Sequence, residues 1–349
     1  MIETGDSMES TKTAGVVGVG LIGGSIGAGL IAAGWTVVGY DADPDAVRVA
    51  TDRSLVSQFV GTIDDMVAAA PDIVIVAAPP AATIEIVTRF DTDLPIMDVA
   101  GVKVPVVAAA SHLPAFVGTH PMAGRETSGP SAASAALFRG ASWVVVDGSD
   151  PTAEAAAVGV IEALGARVVR MSAEDHDSAV ARISHLPQLV SGALLAAASD
   201  SAGAIDLAAG SFRDLTRVAA SQPIPWVELL KANSNAVLDA IGSLKTRLAL
   251  IEAALLSDDD SLLTLLATGR ETRRMLGAPV AAVRIALADE PGEMAKVGHA
   301  LETSKVDVRD IQMRHAPHGG GGVLTISVRT GEEGALAHAL EDAGLLLVT

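Results

Sequence analysis

The chain has no cysteine, few aromatic residues and a low share of basic residues. Without cysteine it can form no disulfide, thiolate nucleophile or iron–sulfur cluster, and any metal would need histidine and carboxylate ligands. Lysine and arginine number 24 against 42 aspartate and glutamate residues, which gives a net charge of −18. Proteins that bind nucleic acid or anionic membranes neutralise phosphates with basic residues, so this balance argues against both partners.

Long apolar runs are also missing, although 50% of the residues are hydrophobic. Glycine, proline or charge interrupts each apolar stretch before about 18 residues, the length needed to cross a bilayer. A chain of 349 residues with this composition can form two or three domains with their own cores. Residues 1–13 are polar and acidic and lack the pattern of a signal peptide, so we expect a disordered tail and a cytoplasmic protein.

The hydrophobic pattern changes twice along the chain and predicts three folded domains. In residues 14–172, short β-branched runs alternate with Ala-rich amphipathic runs, which is typical of an α/β Rossmann-type domain with a parallel sheet. Residues 173–279 contain long Ala/Leu segments at helical spacing and predict an all-α domain. Residues 280–349 predict the order βαββαβ of a ferredoxin-like α+β domain, with a Gly-rich loop at Gly319–Gly322. The strands predicted for the first domain are Ala14–Gly18, Thr36–Asp41, Asp72–Ala77, Pro95–Val99, Phe116–Thr119, Trp143–Val146 and Arg167–Met171.

A G-x-G-x-x-G motif follows the first predicted strand and opens a helix. In this context Gly18 permits a tight turn, Gly20 lets a pyrophosphate approach the backbone, and Gly23 allows close helix packing. Asp41, at the end of the second predicted strand, is placed to accept hydrogen bonds from ribose hydroxyls and to repel a 2′-phosphate. The motif therefore predicts a dinucleotide site that prefers NAD to NADP. The predicted cofactor-binding residues are Gly18, Gly20, Leu21, Ile22, Gly23, Asp41, Ala78 and Pro79.

Three histidines have neighbours that suggest chemistry or structure. His120, in Thr119-His120-Pro121-Met122-Ala123-Gly124, is predicted on a loop at the carboxyl edge of the sheet, where a neutral imidazole could accept a proton from a substrate hydroxyl. His185 precedes Pro187 in a helical stretch, where it either satisfies backbone groups freed by the proline or contacts substrate or cofactor. His176 has acidic neighbours that favour helix capping over a metal site, so we predict no metal.

Arg213 and Arg217 stand four residues apart, so we expect them on one helix face. Two guanidinium groups there suit bidentate capture of carboxylates. Ion pairing of these arginines with Asp214 or Glu228 is the alternative.

Together these motifs resemble the prephenate/arogenate dehydrogenase family. The residues that carry the resemblance are Gly18–Ser25, Thr119–Gly124 with Glu126, Ser128 and Gly129, Ser184-His185-Leu186-Pro187, Ala209–Asp214 and Thr216–Ala219. The C-terminal segment, with Asp289-Glu290-Pro291-Gly292 at its first strand–helix turn, resembles an ACT domain, an amino-acid-sensing module.

The resemblance implies NAD-dependent oxidative decarboxylation of prephenate or arogenate in tyrosine biosynthesis, in a homodimer regulated through the ACT domain by tyrosine. It makes His120 the proton acceptor and lets Arg217 hold a substrate carboxylate, while Trp226 reaches a neighbouring subunit's site. The predicted substrate-binding residues are Ser184, His185, Gln188, Arg213, Arg217, Trp226 and Glu126.

The chain departs from the family pattern at two positions near these motifs. Gly101 stands where the family pattern Asp-x-x-Ser-Val-Lys has serine, and Gln188 stands where histidine is frequent. The missing serine hydroxyl leaves two alternatives open: an enzyme acting on a 4-amino-4-deoxyprephenate-type analogue, or a non-catalytic sensor of nucleotide and amino acid.

Overall fold

The structure, a computed structural model, describes residues 11–124, 127–275, 280–315 and 321–348. The chain folds as two compact units, residues 1–246 and 247–349. Among the described residues, no helix is both long and apolar enough to cross a membrane.

The first unit is built on an eight-stranded sheet in the order β3-β2-β1-β4-β5-β6-β7-β8. The strands are β1 Thr13–Val17, β2 Thr36–Tyr40, β3 Gln58–Phe59, β4 Ile73–Val76, β5 Ile96–Asp98, β6 Phe116–Pro121, β7 Ser142–Val146 and β8 Arg167–Met171. The seven strands predicted for this domain are present. The short edge strand β3 was missed, and Thr13 belongs to β1 rather than to a disordered tail.

One strand pair corrects the expectation of a wholly parallel sheet. Strands β6 and β7 pair antiparallel, whereas the other neighbouring strands pair parallel. A parallel pair needs a crossover, usually through a helix. The link from β6 to β7 contains, in its described residues, one 3₁₀ turn at Pro130–Ala132 and no α-helix, so the chain returns beside β6 in the opposite direction.

Helices cover both faces of the sheet, which explains the continuous apolar strand sequences. The four residues of β4, Ile-Val-Ile-Val, are fully buried, and they divide between the two hydrophobic clusters that cover the opposite faces. The helices between the strands are α1 Leu21–Ala32, α2 Pro44–Asp52, α3 Ile63–Ala68, α4 Pro80–Arg89, α5 Val104–Ala109 and α6 Pro151–Ala163. Proline begins three of them, at the position where its missing N–H costs nothing.

The predicted helical region follows the sheet. Its helices are α7 Ala173–Val180, α8 Leu186–Ser199, α9 Gly210–Thr216, α10 Pro223–Ala232, α11 Ser234–Leu255 and α12 Ser261–Arg274. A π-helical turn, Ala181–His185, joins α7 to α8.

The second unit contains a four-stranded antiparallel sheet in the order β10-β11-β9-β12. This unit begins within α11 and includes α12. The elements that follow are β9 Val280–Leu287, α13 Glu293–Ser304, β10 Val308–His315, β11 Gly322–Arg329, α14 Glu333–Asp342 and β12 Leu346–Leu347. This is the predicted βαββαβ order, and apolar residues of α13 and α14 share one core with the sheet. Half of the predicted Gly-rich loop, Gly319 and Gly320, lies outside the described residues.

Candidate active site

The glycine turn between β1 and α1 has the geometry that a bound pyrophosphate requires. Gly18 has a φ angle of +90°, and a Cβ there would lie 2.6 Å from the carbonyl oxygen of Ala77. A Cβ on Gly23 would lie 1.9 Å from the carbonyl oxygen of Gly18. Gly20, in contrast, has no atom within 4 Å of its Cβ position, which leaves open space at the start of α1. Gly18 and Gly23 thus shape the turn, and Gly20 leaves room for a phosphate at the helix N-terminus.

Asp41 is the first residue after β2 and lies beside this turn. Its Oδ2 accepts a hydrogen bond of 2.7 Å from the Val19 amide, and its Oδ1 accepts one of 2.9 Å from the Asp43 amide. The carboxylate therefore stands at the carboxyl edge of the sheet, where a ribose lies in dinucleotide-binding folds.

A cleft of about 590 Å³ extends from the glycine turn to the helical region of the same unit. Its lining combines apolar side chains with Arg217, Gln188 and backbone groups. The lining residues are Gly20, Leu21, Ile22, Ala77, Ala78, Pro79, Gly124, Thr127, Ser128, Gly129, Gln188, Arg217, Val218, Ser221, Gln222, Pro225 and Trp226. Five of the predicted cofactor residues line this cleft, and the other three, Gly18, Gly23 and Asp41, do not.

His120 lies inside β6 and not on a loop, which corrects the sequence prediction. It is the penultimate residue of the strand and pairs with Val144 of β7. Its half-buried ring meets the His176 ring edge-on, and its Nδ1 lies 2.8 Å from His176 Nε2. Burial is the largest cause that lowers the pKa of His120 well below its ordinary value, and the positive charge of Lys103 acts in the same direction. The imidazole is therefore neutral and able to accept a proton near pH 7.

His176 and Asp177 lie on the buried face of α7. The side chain of His176 is 1% exposed, and its Nδ1 lies 2.8 Å from Asp177 Oδ1. Asp177 also accepts backbone hydrogen bonds from Lys103 (2.7 Å) and Val104 (2.9 Å) at the start of α5. Asp177 thus joins α7 to the strand–helix turn after β5.

A buried ion pair lies beneath His120. Lys103 Nζ donates to the carboxylate of Asp98 and, at 2.6 Å, to the carbonyl oxygen of Thr119. The Asp98 carboxylate also accepts from the amides of Ala100 (2.9 Å) and Thr119 (3.3 Å). Burial raises the pKa of Asp98 and lowers the pKa of Lys103, and the attraction between the two opposes both shifts. The pair joins the ends of β5 and β6, the two strands that lead to Gly101 and His120.

His185 is held from α10. Asn233 is the C-cap residue of α10. Its Nδ2 donates to the carbonyl oxygen of Asp177 (2.8 Å) and lies 3.3 Å from His185 Nδ1. The His185 ring also meets the Trp226 ring edge-on, with centroids 6.2 Å apart. Burial lowers the pKa of His185.

The proline in this segment produces a π-helical turn rather than a break. Pro187 falls in the first turn of α8, directly after the π turn that contains His185. A proline lacks the amide that would continue the helical ladder, and a wider turn absorbs the missing bond. The His185 ring contacts the side-chain amide of Asn233 from α10 in this turn.

Comparison with known proteins connects these features. Residues 28–170 match the family described as "Prephenate dehydrogenase, nucleotide-binding domain", and residues 172–268 match "Prephenate dehydrogenase, dimerization domain". The chain is 31% identical to a cyclohexadienyl dehydrogenase of Zymomonas mobilis over 268 residues, which cover 72% of this chain and 91% of the relative. It is 28% identical to a prephenate dehydrogenase of Bacillus subtilis, over 91% of this chain and 92% of the relative.

The chain belongs to the prephenate dehydrogenase family. The family predicted from the sequence motifs is therefore confirmed. A prephenate dehydrogenase of Aquifex aeolicus, solved with hydroxyphenyl propionate and NAD⁺, superposes with a TM-score of 0.70 at 27% identity and covers 77% of this chain and 99% of its own. The match to the nucleotide-binding domain begins within α1 and includes strands β2 to β7 and most of β8, and the match to the dimerization domain includes most of the helical region.

Within this family frame, the structure explains how Gly101 is accommodated. A Cβ at position 101 would lie 2.9 Å from Leu229 Cδ1 and 3.7 Å from His120 Nε2. Leu229, from α10, therefore occupies the space into which a serine side chain would extend. The Nε2 atom of His120 faces this apolar contact.

The two predicted carboxylate-binding arginines do not share a helix. Helix α9 ends at Thr216, and Arg217 begins a 3₁₀ turn, Arg217–Ala220. Arg217 lines the cleft, whereas Arg213 is exposed and donates through Nε to the carbonyl oxygen of Ala208 at 3.1 Å. The expectation of one helix face was wrong because the helix tightens one residue before Arg217.

Other predicted substrate residues fall into three groups. Gln188 and Trp226 line the cleft with Arg217. Ser184 and His185 lie in the π turn and are not among the lining residues. Glu126 lies outside the described residues.

Sequence reasoning missed the part that His176 and Asp177 take in the site. Their acidic neighbours suggested only helix capping. In the structure the residue that caps α7 is Ser172, whose side chain accepts a hydrogen bond from the Asp175 amide. The buried residues of α7 are Ala173, His176, Asp177 and Val180. Their spacing of i, i+3, i+4 and i+7 is the pattern of a core-facing stripe, and it could have predicted that both polar side chains point inward.

Proposed function

We propose that the chain is an NAD-dependent dehydrogenase that oxidises and decarboxylates prephenate to 4-hydroxyphenylpyruvate, or arogenate to tyrosine. The observation that carries this proposal is the single cleft that joins the glycine turn to Gln188, Arg217 and Trp226, in a chain that belongs to the prephenate dehydrogenase family. A dinucleotide and a small dicarboxylic substrate both need to enter such a cleft so that the reacting carbon can meet the nicotinamide.

The cofactor is held by the glycine turn. The open Cβ position of Gly20 and the start of α1 receive the pyrophosphate, and Asp41 receives the ribose. Asp43 and Asp45 add negative charge beside Asp41, which favours NAD over NADP. NAD, when bound, supplies the hydride acceptor.

His120 moves the proton of the reaction. Its Nε2 accepts the proton of the hydroxyl on the ring carbon that loses hydride, so that this carbon becomes a carbonyl carbon. The bond between the ring and its carboxylate then breaks, carbon dioxide leaves, and the released electron pair makes the ring aromatic. The resulting phenolate oxygen takes the proton back from His120. The low pKa of His120 keeps Nε2 unprotonated before the reaction.

Arg217 holds a substrate carboxylate, because it is the arginine that lines the cleft among the residues that the structure describes. Gln188 and Trp226 complete the substrate side. Ser184, His185, Arg213 and Glu126 remain in the proposal from the family resemblance alone.

The proposal extends to assembly and regulation. A homodimer forms through the helical region, whose exposed apolar side chains need a partner surface. They include Leu189, Leu194, Leu215, Ile224, Val227 and Leu238. The domains extend over residues 14–172, 173–279 and 280–349, and the last is an ACT domain that binds tyrosine as an effector. Its βαββαβ order and antiparallel sheet support this assignment.

The test is NADH formation by the purified full-length chain with prephenate, arogenate or 4-amino-4-deoxyprephenate, with NAD or NADP, and with or without tyrosine. We expect NAD-dependent turnover of prephenate or arogenate, and its loss in His120→Ala. An Arg217→Met variant should raise KM for the substrate roughly tenfold to a hundredfold, the effect of losing a charged hydrogen bond, with little change in KM for NAD. Faster turnover of the amino analogue would replace the substrate assignment, and NAD binding without turnover of any substrate would favour a sensor.

A further inference from the structure

Three polar side chains, those of Asp177, His176 and His120, form a continuous hydrogen-bonded row between α7 and β6. Asp177 Oδ1 lies 2.8 Å from His176 Nδ1, and His176 Nε2 lies 2.8 Å from His120 Nδ1. His176 is 1% exposed and Asp177 is 4% exposed, so water does not compete for these bonds. The row runs from the start of α5, through α7, to the end of β6.

The donors and acceptors of this row can be assigned from its inner end. Backbone amides of Lys103 and Val104 donate to the two carboxylate oxygens of Asp177. Both carboxylate oxygens of Asp177 thus act as acceptors, so His176 Nδ1 is the donor in its bond to Asp177 Oδ1.

The tautomer of His120 follows from the same assignment of donors and acceptors. A neutral His176 that donates through Nδ1 has an unprotonated Nε2. His120 Nδ1 must then be the donor to His176 Nε2, which leaves His120 Nε2 unprotonated.

That free nitrogen faces the position where a family serine would stand. Gly101 has no side chain to hold the ring, and the space there is occupied by Leu229. Among the residues that the structure describes, His176 is the side chain recorded as a hydrogen-bond partner of the His120 ring.

We propose that His176, held by Asp177, is a positioning residue that fixes the orientation and tautomer of His120 and so performs the orienting role that Gly101 cannot. This inference rests on the proposed function of His120 as the proton acceptor. When the substrate proton moves to Nε2, the proton on Nδ1 stays in its bond to His176, and the Asp177 carboxylate stabilises the imidazolium that forms. The charged groups around His120 are otherwise the ion pair of Lys103 with Asp98, and His185.

The first experiment compares His176→Phe with His176→Gln by steady-state kinetics over a range of pH. Phenylalanine fills the volume but cannot accept the Nδ1 proton, whereas the glutamine carbonyl can. We expect kcat to fall at least about tenfold in the phenylalanine variant, because proton transfer by a positioned base contributes about 10²–10⁴-fold. KM for the substrate should stay within about threefold, since the change affects the transition state and not binding. The glutamine variant should regain most of the loss.

His112→Phe is the matched control, because His112 is exposed and its Nε2 bonds to the Phe90 carbonyl oxygen at 3.1 Å, far from this row in the fold. Its kcat should equal that of the wild type. A kcat for His176→Phe within threefold of the wild type would overturn the proposal, as would equal losses in the phenylalanine and glutamine variants.

A second measurement needs no substrate and no variant of His176. ¹⁵N NMR of the wild-type chain labelled at histidine reports which ring nitrogen carries the proton, and the His120 signals are assigned by their absence in His120→Gln. We expect His120 to be protonated at Nδ1 and unprotonated at Nε2. The opposite tautomer would refute the proposed assignment of donors and acceptors in the row. Failure of every substrate to yield NADH would refute the proposed function and leave this tautomer result intact.

Discussion

Replacing Lys103 by methionine removes the cation from a fully buried ion pair and leaves its partner charged. Asp98 would keep two backbone donors, Ala100 and Thr119, but would lose its counter-ion, and the Thr119 carbonyl oxygen would lose its donor. Breaking a buried pair in this way costs about 3–5 kcal/mol of unfolding free energy. For a domain of this size each kcal/mol lowers Tm by about 2–4 °C, so Tm should fall by roughly 6–20 °C.

The assay is urea unfolding of the full chain followed by tryptophan fluorescence. Trp143 suits it because its side chain is fully buried and its Nε1 donates to Thr119 Oγ1 at 2.9 Å, directly beside the pair. The double variant Asp98→Asn/Lys103→Met removes both charges, and it should recover at least about 2 kcal/mol of the loss. Lys231→Met is the surface control, with an expected change within about 0.5 kcal/mol.

Two outcomes would refute this reasoning. A loss below about 1 kcal/mol in Lys103→Met would mean that water reaches Asp98 or that its carboxyl is neutral in the folded chain. A double variant less stable than Lys103→Met would mean that the pair contributes through packing and not through charge.

Two further predictions concern pH and the glycine turn. The pKa of His120 is lower in the folded chain than in the unfolded chain. Between the folded pKa and about pH 6.5, the unfolded chain therefore binds more protons at this histidine. The unfolding free energy should fall as pH decreases through this window, by up to about 1.4 kcal/mol per pH unit for this one group. His185, whose pKa is also lowered, adds a slope of the same sign. The unfolding free energy, measured by urea unfolding near pH 7 and near pH 5.5, should differ less between the two pH values in His120→Gln than in the wild type. An equal difference would contradict the assignment. Gly23→Ala should disrupt the turn and lower Tm, whereas Gly20→Ala should leave Tm unchanged and weaken NAD binding, as measured by thermal unfolding and by calorimetric titration with NAD. Normal NAD affinity in Gly20→Ala would refute the assigned phosphate position.

Much of the fold was predictable because its signals are local. The continuous apolar run of β4 indicates a strand buried on both faces, and the alternation of such runs with amphipathic helices indicates a wound sheet. The βαββαβ order of the second unit was likewise readable from hydrophobic period and turn residues. The direction of β7 could not be predicted. It depends on what connects β6 to β7 and on which edge of the sheet is open, and the sequence of the strand contains neither.

The candidate site divides in the same way. The positions of Gly18, Gly20 and Gly23 between a strand and a helix indicated the dinucleotide site, because that spacing is local in the sequence. The contact that requires glycine at position 18 comes from Ala77, which only the fold brings close. The sequence placed Arg213 and Arg217 on one helix face because they stand four residues apart, but α9 ends at Thr216 and Arg217 begins a 3₁₀ turn, which the spacing does not reveal.

The sequence by itself determined the order of the elements, the glycine turn, the candidate base and the family, since these depend on short stretches whose geometry is set by neighbouring residues. Only the tertiary structure decided what surrounds His120. The bond from His176 joins residues 56 positions apart, and the contact of Leu229 with the Gly101 site joins α10 to the end of β5. Such contacts exist only after the sheet and the helices have packed, because packing alone brings together side chains that are distant in sequence and removes the water that would otherwise hydrogen-bond to them.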